Sequence, residues 1–425
     1  MVRIQNKIAW GLVAALSLLV LAALAGVVQG GPLDPTAPPG STGKNVITSL
    51  PFTISQSGSY VLNGNLTCGS CTISVYGITV SADNVTIDLQ GFELVGPGSQ
   101  SRGISSANNR HLTVRDGTIR NWASGIFTGN DALRVDAVTF KANVNFGVQG
   151  DDVAQISNCR VEQSSTGIAV GLGSSITNCT VGVSTTAGVS AGDDATISQV
   201  QVFAALGGAG IIAGNHSNLE NCVVDGFAGG GNGIQVGADS VVRGCTATNN
   251  GGNEISGGAR SLIEDCVADG NNTAGNGIIV GEDSIIRGCT AKNNQAAQID
   301  ASTGDRTLIE NCTANGRTGL PAPNNRVGEG IVVGAYSTVR GCVVSENAQN
   351  GIHVKRDRNR IEGNESLGNA LAGIKVDVTG GSSVGISNRA GNNEGGNYSI
   401  SAAASFPTVV GAATTSTGPW ANLDY

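Results

Sequence analysis

SIIRGCTA, residues 284–291, sets a cysteine in a frame that the chain uses again and again. The frame reads apolar–x–(Asn/Gly/Asp)–Cys–x–(Val/Ala). It occurs as ISNCRV ending at Val161, ITNCTV at Val181, LENCVV at Val224 and VRGCTA at Ala247. It continues as IEDCVA at Ala268, IRGCTA at Ala291, IENCTA at Ala314 and VRGCVV at Val344. In degenerate copies Gly117, Val138 and Val200 fill the cysteine slot, and later Asn364 and Arg389 fill it. Successive slots lie about 20 to 25 residues apart; the longer step from Cys312 to Cys342 takes its surplus from RTGLPAPNNRVGEG (317–330).

A second frame precedes the first. It reads GIFTG (125–129), GIAVG (167–171), GIIAG (210–214), GIQVG (233–237), GIIVG (277–281), GIVVG (330–334), GIHVK (351–355) and GIKVD (373–377). Each repeat therefore holds at least two short strands, and neither can bury a face alone. Stacking repeats in register buries one continuous interior. The spaced leucines of leucine-rich repeats and the aromatic signatures of propeller blades are both missing. A coil of three short parallel strands fits, which predicts an all-β, parallel β-helix solenoid of about 13–14 coils at ~4.8 Å per coil.

Composition agrees. The 425 residues include 64 glycines, 13% charged residues and 40% apolar residues, too apolar for disorder and too interrupted for long helices. The net charge of −8 argues against nucleic acid as partner, because phosphate binding needs a basic surface. At the N-terminus Arg3 and Lys7 precede the apolar run IAWGLVAALSLLVLAALAGVV, and ALA at 23–25 offers a small-residue cleavage site. The expected organisation is a signal peptide (1–25), a flexible linker (26–44), a β-helix domain with its N-terminal cap (45–404) and a C-terminal capping tail (405–425). Retention of the apolar run as an anchor is the alternative. Either way the expected location is secreted, cell-surface or periplasmic. Phe406, Trp420 and Tyr425 are expected to cover the last coil, since open strand edges invite aggregation.

The repeats resemble the secreted right-handed parallel β-helix proteins of the pectate-lyase-like superfamily. LPFTISQSGSYVLNGNLT (50–67) followed by ITVSADNVTIDLQGFELVG (78–96) resembles the entry coils of bacterial members. The resemblance covers about residues 45–425. It implies the right-handed fold and leaves activity open, because the superfamily holds lyases, hydrolases, epimerases, adhesins and non-enzymes.

Stacking gives each frame position a meaning. The column Cys159, Cys179, Cys222, Cys245, Cys266, Cys289, Cys312 and Cys342 should point inward as unpaired thiols, a small apolar filling. Buried and without a companion base, it is no nucleophile set. Cys68 and Cys71 (CGSC) could form a local disulfide or remain two thiols. Two residues before each slot the chain reads Glu220, Arg243, Glu264, Arg287, Glu310, Arg340 and Glu362, an outward ion-pair ladder expected to fix register. The pairs Asn249–Asn250, Asn271–Asn272 and Asn293–Asn294 read as turn residues.

Three candidate chemistries follow. Asp151, Asp152, Asp193, Asp194, Asp239, Glu282, Asp283, Asp305 and Asp357 precede the cysteine strands and would form a carboxylate strip. Asp193, Asp194 and Asp357 are its candidate metal ligands, with calcium the cation that clustered oxygens suit. GDDATI (192–197) also resembles the Gly-Asp-Asp segment of polygalacturonases, but the Gly-His-Gly and Arg-Ile-Lys partners of that family are missing. The basic stretch GIHVKRDRNRIEGN (351–364) offers Lys355, Arg356 and Arg358 as catalytic bases and Arg360 and His353 as substrate contacts, with Asp357, Glu362 or Glu365 holding calcium. The leading expectation is a monomeric, exported, non-catalytic surface protein associated with polysaccharide or a cell-surface matrix. The alternatives are a polysaccharide lyase or glycoside hydrolase acting on an acidic polysaccharide, and a purely structural role.

Overall fold

The structure, a computed structural model, describes residues 44–425 apart from 99–100, 108, 130–131, 204–206, 227–228, 272–273, 317–327, 379–382, 402–408, 412–421 and 425. The expected export segment, most of the linker, Phe406, Trp420 and Tyr425 lie outside the described residues.

The described chain is a right-handed parallel β-solenoid of about 15 turns with no helix. That exceeds the 13–14 coils expected from the cysteine frame, because the entry coils carry paired strands without the frame. One coil illustrates the unit. Ile278–Val280 lies in a first sheet, Ile285–Arg287 in a second and Thr290–Lys292 in a third. Each pairs in parallel with the strand one coil away: Ile278 with Ile299, Arg287 with Glu310, Ala291 with Ala314.

The corners explain the sequence. The residue directly before each slot has a left-handed backbone, from Asn158 (φ 54°) through Asp265 (52°), Gly288 (63°) and Asn311 (55°) to Ser387 (52°). Asn, Asp and Gly tolerate that conformation, so the frame repeats them. A second left-handed corner falls six residues before the slot, at Asp239, Arg260, Asp283, Arg306, Tyr336 and Arg358. The third falls four after it, at Asn249, Gly270, Asn293, Glu346 and Gly368. Chain length between sheets varies most beyond this third corner, where 317–327 is inserted. Gly277, which opens the GIIVG frame, has a different need: a Cβ there would sit 2.5 Å from the carbonyl oxygen of Gln298 on the next coil.

The interior is made of stacked columns. Ile255, Ile278, Ile299, Ile331 and Ile352 line the first sheet, and Val242, Ile263, Ile286, Ile309 and Val339 the second, all with no exposed surface. The eight frame cysteines are free and buried. Each thiol does more than fill space. Cys289 donates to the carbonyl of Ile263 on the preceding coil (3.5 Å), and Cys266 to that of Val242 (3.5 Å). The Cys222 amide donates to the Cys245 sulfur (3.4 Å). The slot thus wants a compact group that donates and accepts.

The C-terminal coils satisfy the same demand with amides. Asn364, Asn388 and Asn422 occupy the slot, and their side-chain amides donate to the equivalent carbonyls of Val339, Ile361 and Gly385 (2.9, 2.8 and 3.1 Å). This corrects the placement of Arg389 in the column. Arg389 pairs in register with Glu365 and bonds to it from outside (3.0 Å), one residue beyond the slot. A second interior ladder corrects the reading of the Asn pairs as turns alone. Asn249 and Asn293 do turn the third corner, but Asn250, Asn271 and Asn294 are buried. Farther on, Asn347, Asn369 and Asn393 bond from coil to coil (2.9 and 2.8 Å between side chains).

Outside, Arg243 contacts Glu220 (3.7 Å) and Glu264 (2.7 Å), and Arg287 contacts Glu264 (3.2 Å) and Glu310 (2.7 Å). Arg340 completes the run on Glu310 (2.8 Å). Glu362 instead takes Arg360 from its own strand (2.8 Å). Exposed pairs contribute about 0.2–1 kcal/mol each, whereas like charges placed opposite one another are unfavourable. Arg287→Glu should therefore lower the thermal midpoint more than Arg287→Gln, because it sets three carboxylates side by side. Equal midpoints for the two variants would remove the ladder's role in register.

Candidate functional site

The third residue of the GI-x-V frame, and its equivalent in the divergent coils, lies on the outer side of the first sheet between two inward-facing neighbours. In register this outward column runs Gln235, Ser256, Ile279, Asp300, Val332, His353, Lys375, Ser399. At His353 it meets two acids from neighbouring coils. His353 Nδ1 lies 2.5 Å from Glu329 Oε1, and Nε2 lies 3.0 Å from Asp377 Oδ2. The imidazole and Glu329 side chains are only 10% and 11% exposed. Lys355 approaches Glu329 (3.8 Å), Lys375 bonds Asp377 (2.8 Å), and Asn350 donates to Glu329 (3.1 Å).

Burial acts to raise the pKa of Glu329, but the hydrogen bond and charge of His353, the Asn350 amide and Lys355 outweigh it and hold the carboxyl below its usual range. Asp377 is governed likewise: burial opposes, and Lys375 and His353 prevail. A shallow recess of about 350 Å³ opens beside the cluster, lined by Asn276, Asp300, Gln349, Glu329, His353 and Lys355 among others. Its groups are planar amides, carboxylates and an ammonium, which donate and accept hydrogen bonds in several directions. Both ring nitrogens of His353 face carboxylates, so neither points openly into the recess.

The basic stretch does not converge. Lys355 faces Glu329 at the end of the first sheet. Arg356 turns to Asp305 (3.4 Å), and Arg358 lies on the Tyr336 hydroxyl and ring at the second corner. Arg360 already belongs to the second sheet. The chain bends between these residues, so neighbours in sequence point to different faces. Of the proposed bases and substrate contacts, only His353 and Lys355 share a site.

The carboxylate strip is corrected too. The second corner places His216 between Asp194 and Asp239 (3.7 and 3.8 Å), Arg260 on Asp239 (2.6 Å) and Arg306 on Asp283 (2.5 Å). Asp239, Arg260, Asp283 and Arg306 thus form a second alternating-charge ladder. Asp193 accepts the Asn215 backbone N–H (2.7 Å), and Asp357 lies seven coils farther on. Asp193, Asp194 and Asp357 therefore cannot share one cation, and no group of three or more His, Cys, Asp or Glu suited to a metal occurs among the described residues. Within the cysteine column, Cys159, Cys222, Cys289 and Cys342 are pushed up first by the neighbouring thiol and then by burial. Cys68 and Cys71 form a disulfide.

Glu329 and Asp377 escaped the sequence reading. Aligning the repeats on the cysteine hides them; aligning GEGIVVG, NGIHVK and AGIKVD on Ile-x-Val puts both acids within one coil of His353.

The family described as right handed beta helix region matches residues 182–322 and 272–411, together more than half of the chain. No curated protein matches the sequence. Among solved structures, a periplasmic alginate epimerase is 10% identical, with 79% of this chain and 77% of that one covered and a TM-score of 0.34. The A-module of the mannuronan C-5 epimerase from Azotobacter vinelandii is 13% identical, with 83% and 91% covered and a TM-score of 0.32. The Dettilon tailspike protein is 13% identical, with 84% and 60% covered and a TM-score of 0.31. These likenesses are of fold alone.

Proposed function

We propose, from the premise that this chain belongs to the right-handed β-helix family, that it is an exported, non-catalytic protein that holds a polysaccharide along the outward face of the first sheet. The site is the recess around Glu329, His353, Lys355 and Asp377. The observation that carries this reading is the saturation of His353. A histidine clamped between two carboxylates is a rigid polar floor, not a free base. Around it Asn276, Asp300, Gln349 and Lys355 offer the mixed donors and acceptors that sugar hydroxyls need.

The test is binding of the purified chain to an array of neutral and acidic glycans. Lys355→Gln should weaken the retained glycan about tenfold, the effect of one charge-assisted hydrogen bond. His353→Gln should weaken it at least as much while the chain stays folded. Failure of every glycan to bind, or indifference to both substitutions, would reject the site. A lyase or hydrolase is the second reading, favoured by the Lys355 ammonium standing beside Glu329 in the same recess. It predicts ultraviolet absorbance from unsaturated uronates, or new reducing ends, on incubation with polyuronates.

A further inference from the structure

A second recess opens on the same sheet, ten coil steps before His353, or about 48 Å away at ~4.8 Å per step. It encloses about 440 Å³ and is lined by Ile73, Ser101, Arg102, Ser124, Phe127 and Phe146, with Asn145 at its edge. Arg102 begins the strand Arg102–Ser106, in register with Ser124. Its guanidinium carbon lies 3.4 Å from the centre of the Phe127 ring and 5.3 Å from that of Tyr76. The Cys68–Cys71 disulfide and the Thr72–Val75 bridge hold the short loop that delivers Ile73 and Tyr76 to this place.

Arg102 differs from the arginines of the two ladders. Among the described residues it has no carboxylate within ion-pair distance, and its one side-chain hydrogen bond is a long one to the Ser105 hydroxyl (3.4 Å). No acidic residue lines the recess among the described residues. A guanidinium carries five N–H donors in a planar fork that matches a carboxylate. Here stacking on Phe127 fixes the plane of the fork, and the ring covers one of its faces. The fork is oriented by the Phe127 ring and has no carboxylate partner among the described residues.

We propose that Arg102 is the anion-recognition residue of a subsite that takes the carboxylate of an acidic sugar unit, with Phe146 and Ile73 as apolar walls. The subsite rests on the reading that this sheet face takes a polysaccharide, and it names the class: a glycan bearing uronate carboxylates.

The experiment compares an oligogalacturonate with the same oligosaccharide after its carboxyl groups are reduced to alcohols. Binding to the full chain and to Arg102→Gln, Arg102→Lys and Lys355→Gln is measured by calorimetry, with thermal midpoints recorded as a check on folding. The wild type should prefer the carboxylated form by about tenfold or more, and Arg102→Gln should erase that preference while binding the reduced form unchanged. Arg102→Lys should restore only part of it, because an ammonium lacks the planar fork. An undiminished preference in a folded Arg102→Gln chain, or no preference in the wild type, overturns the subsite. If only Lys355→Gln weakens binding, the polysaccharide reading stands and the Arg102 subsite falls. If only Arg102→Gln does, the subsite stands and the His353 recess is not the site. If the wild type binds neither form, the Arg102 subsite falls, and the polysaccharide reading is decided by the glycan array.

Discussion

Replacing Glu254 with glutamine should stabilise the protein at pH 8 and leave it almost unchanged at pH 4. Glu254 has no exposed surface and sits in the glycine column that opens the first sheet. Its carboxylate accepts the Asn250 backbone N–H (3.1 Å) and the Asn250 side-chain amide. Burial, the largest influence, pushes its carboxyl up to about 7, against hydrogen bonds from Asn250 that act to lower it. In the unfolded chain a glutamate ionises near 4.3. The native state therefore holds the proton more tightly. Its stabilisation is fully present below the unfolded value and is lost as pH rises through about 7. A shift of this size corresponds to on the order of 3 kcal/mol between pH 4 and pH 8.

Two coils on, the chain already uses the neutral isostere. Gln298 occupies the same column and bonds Asn294 through its carbonyl (3.1 and 2.9 Å) and its amide (3.2 Å). Glu254→Gln should reproduce that arrangement. Urea unfolding at several pH values decides the matter: equal pH slopes for variant and wild type would sink it. The ladder carboxylates act in the opposite direction. Arg340 chiefly holds Glu310 below its usual range, and Arg260 chiefly does so for Asp239. Their contribution is present above the unfolded carboxylate value and is lost as pH falls. Stability should thus peak at weakly acidic pH.

Asn388→Val should cost about 3–5 kcal/mol, because the side chain makes four hydrogen bonds to three residues. Its carbonyl accepts the Asn364 amide N–H and side chain (3.1 and 3.0 Å), and its amide donates to Ile361 and Asn422 (2.8 and 2.9 Å). A valine fills the volume but leaves these buried groups unpaired, at roughly 1–3 kcal/mol each before relaxation. Asn388→Cys should recover part of the loss, since cysteine answers the same carbonyl in the upstream coils. The readout is denaturant unfolding, together with amide exchange in residues 360–391. Greater stability in the valine variant than in the cysteine variant would refute the donor–acceptor account of the slot.

The fold was legible because the repeat is written twice per coil, once around cysteine and once as Ile-x-Val. The left-handed corner before the slot then explains why Asn, Gly and Asp precede it. Counting back two residues from Ala390 would have put Asn388, not Arg389, in the column. The site was less legible. Acids read alone suggested a cation strip, because Arg260, Arg306 and His216 one coil away belong to no shared motif. The clamp on His353 needs three frames laid over one another, and the stacking of Arg102 joins Phe127 of one frame to an arginine and a disulfide-closed loop that no frame contains.

The three corners are not equal in what they tolerate. The one before each slot is a single left-handed residue from coil to coil, whereas the chain between the third sheet and the next coil ranges from a few residues to the stretch that includes 317–327. Foreign peptides grafted behind Asn249, Gly270 or Asn293 would therefore emerge along one edge at coil-height intervals. The protein is in effect a ruled scaffold, on which a designer could space displayed epitopes by choosing the rung.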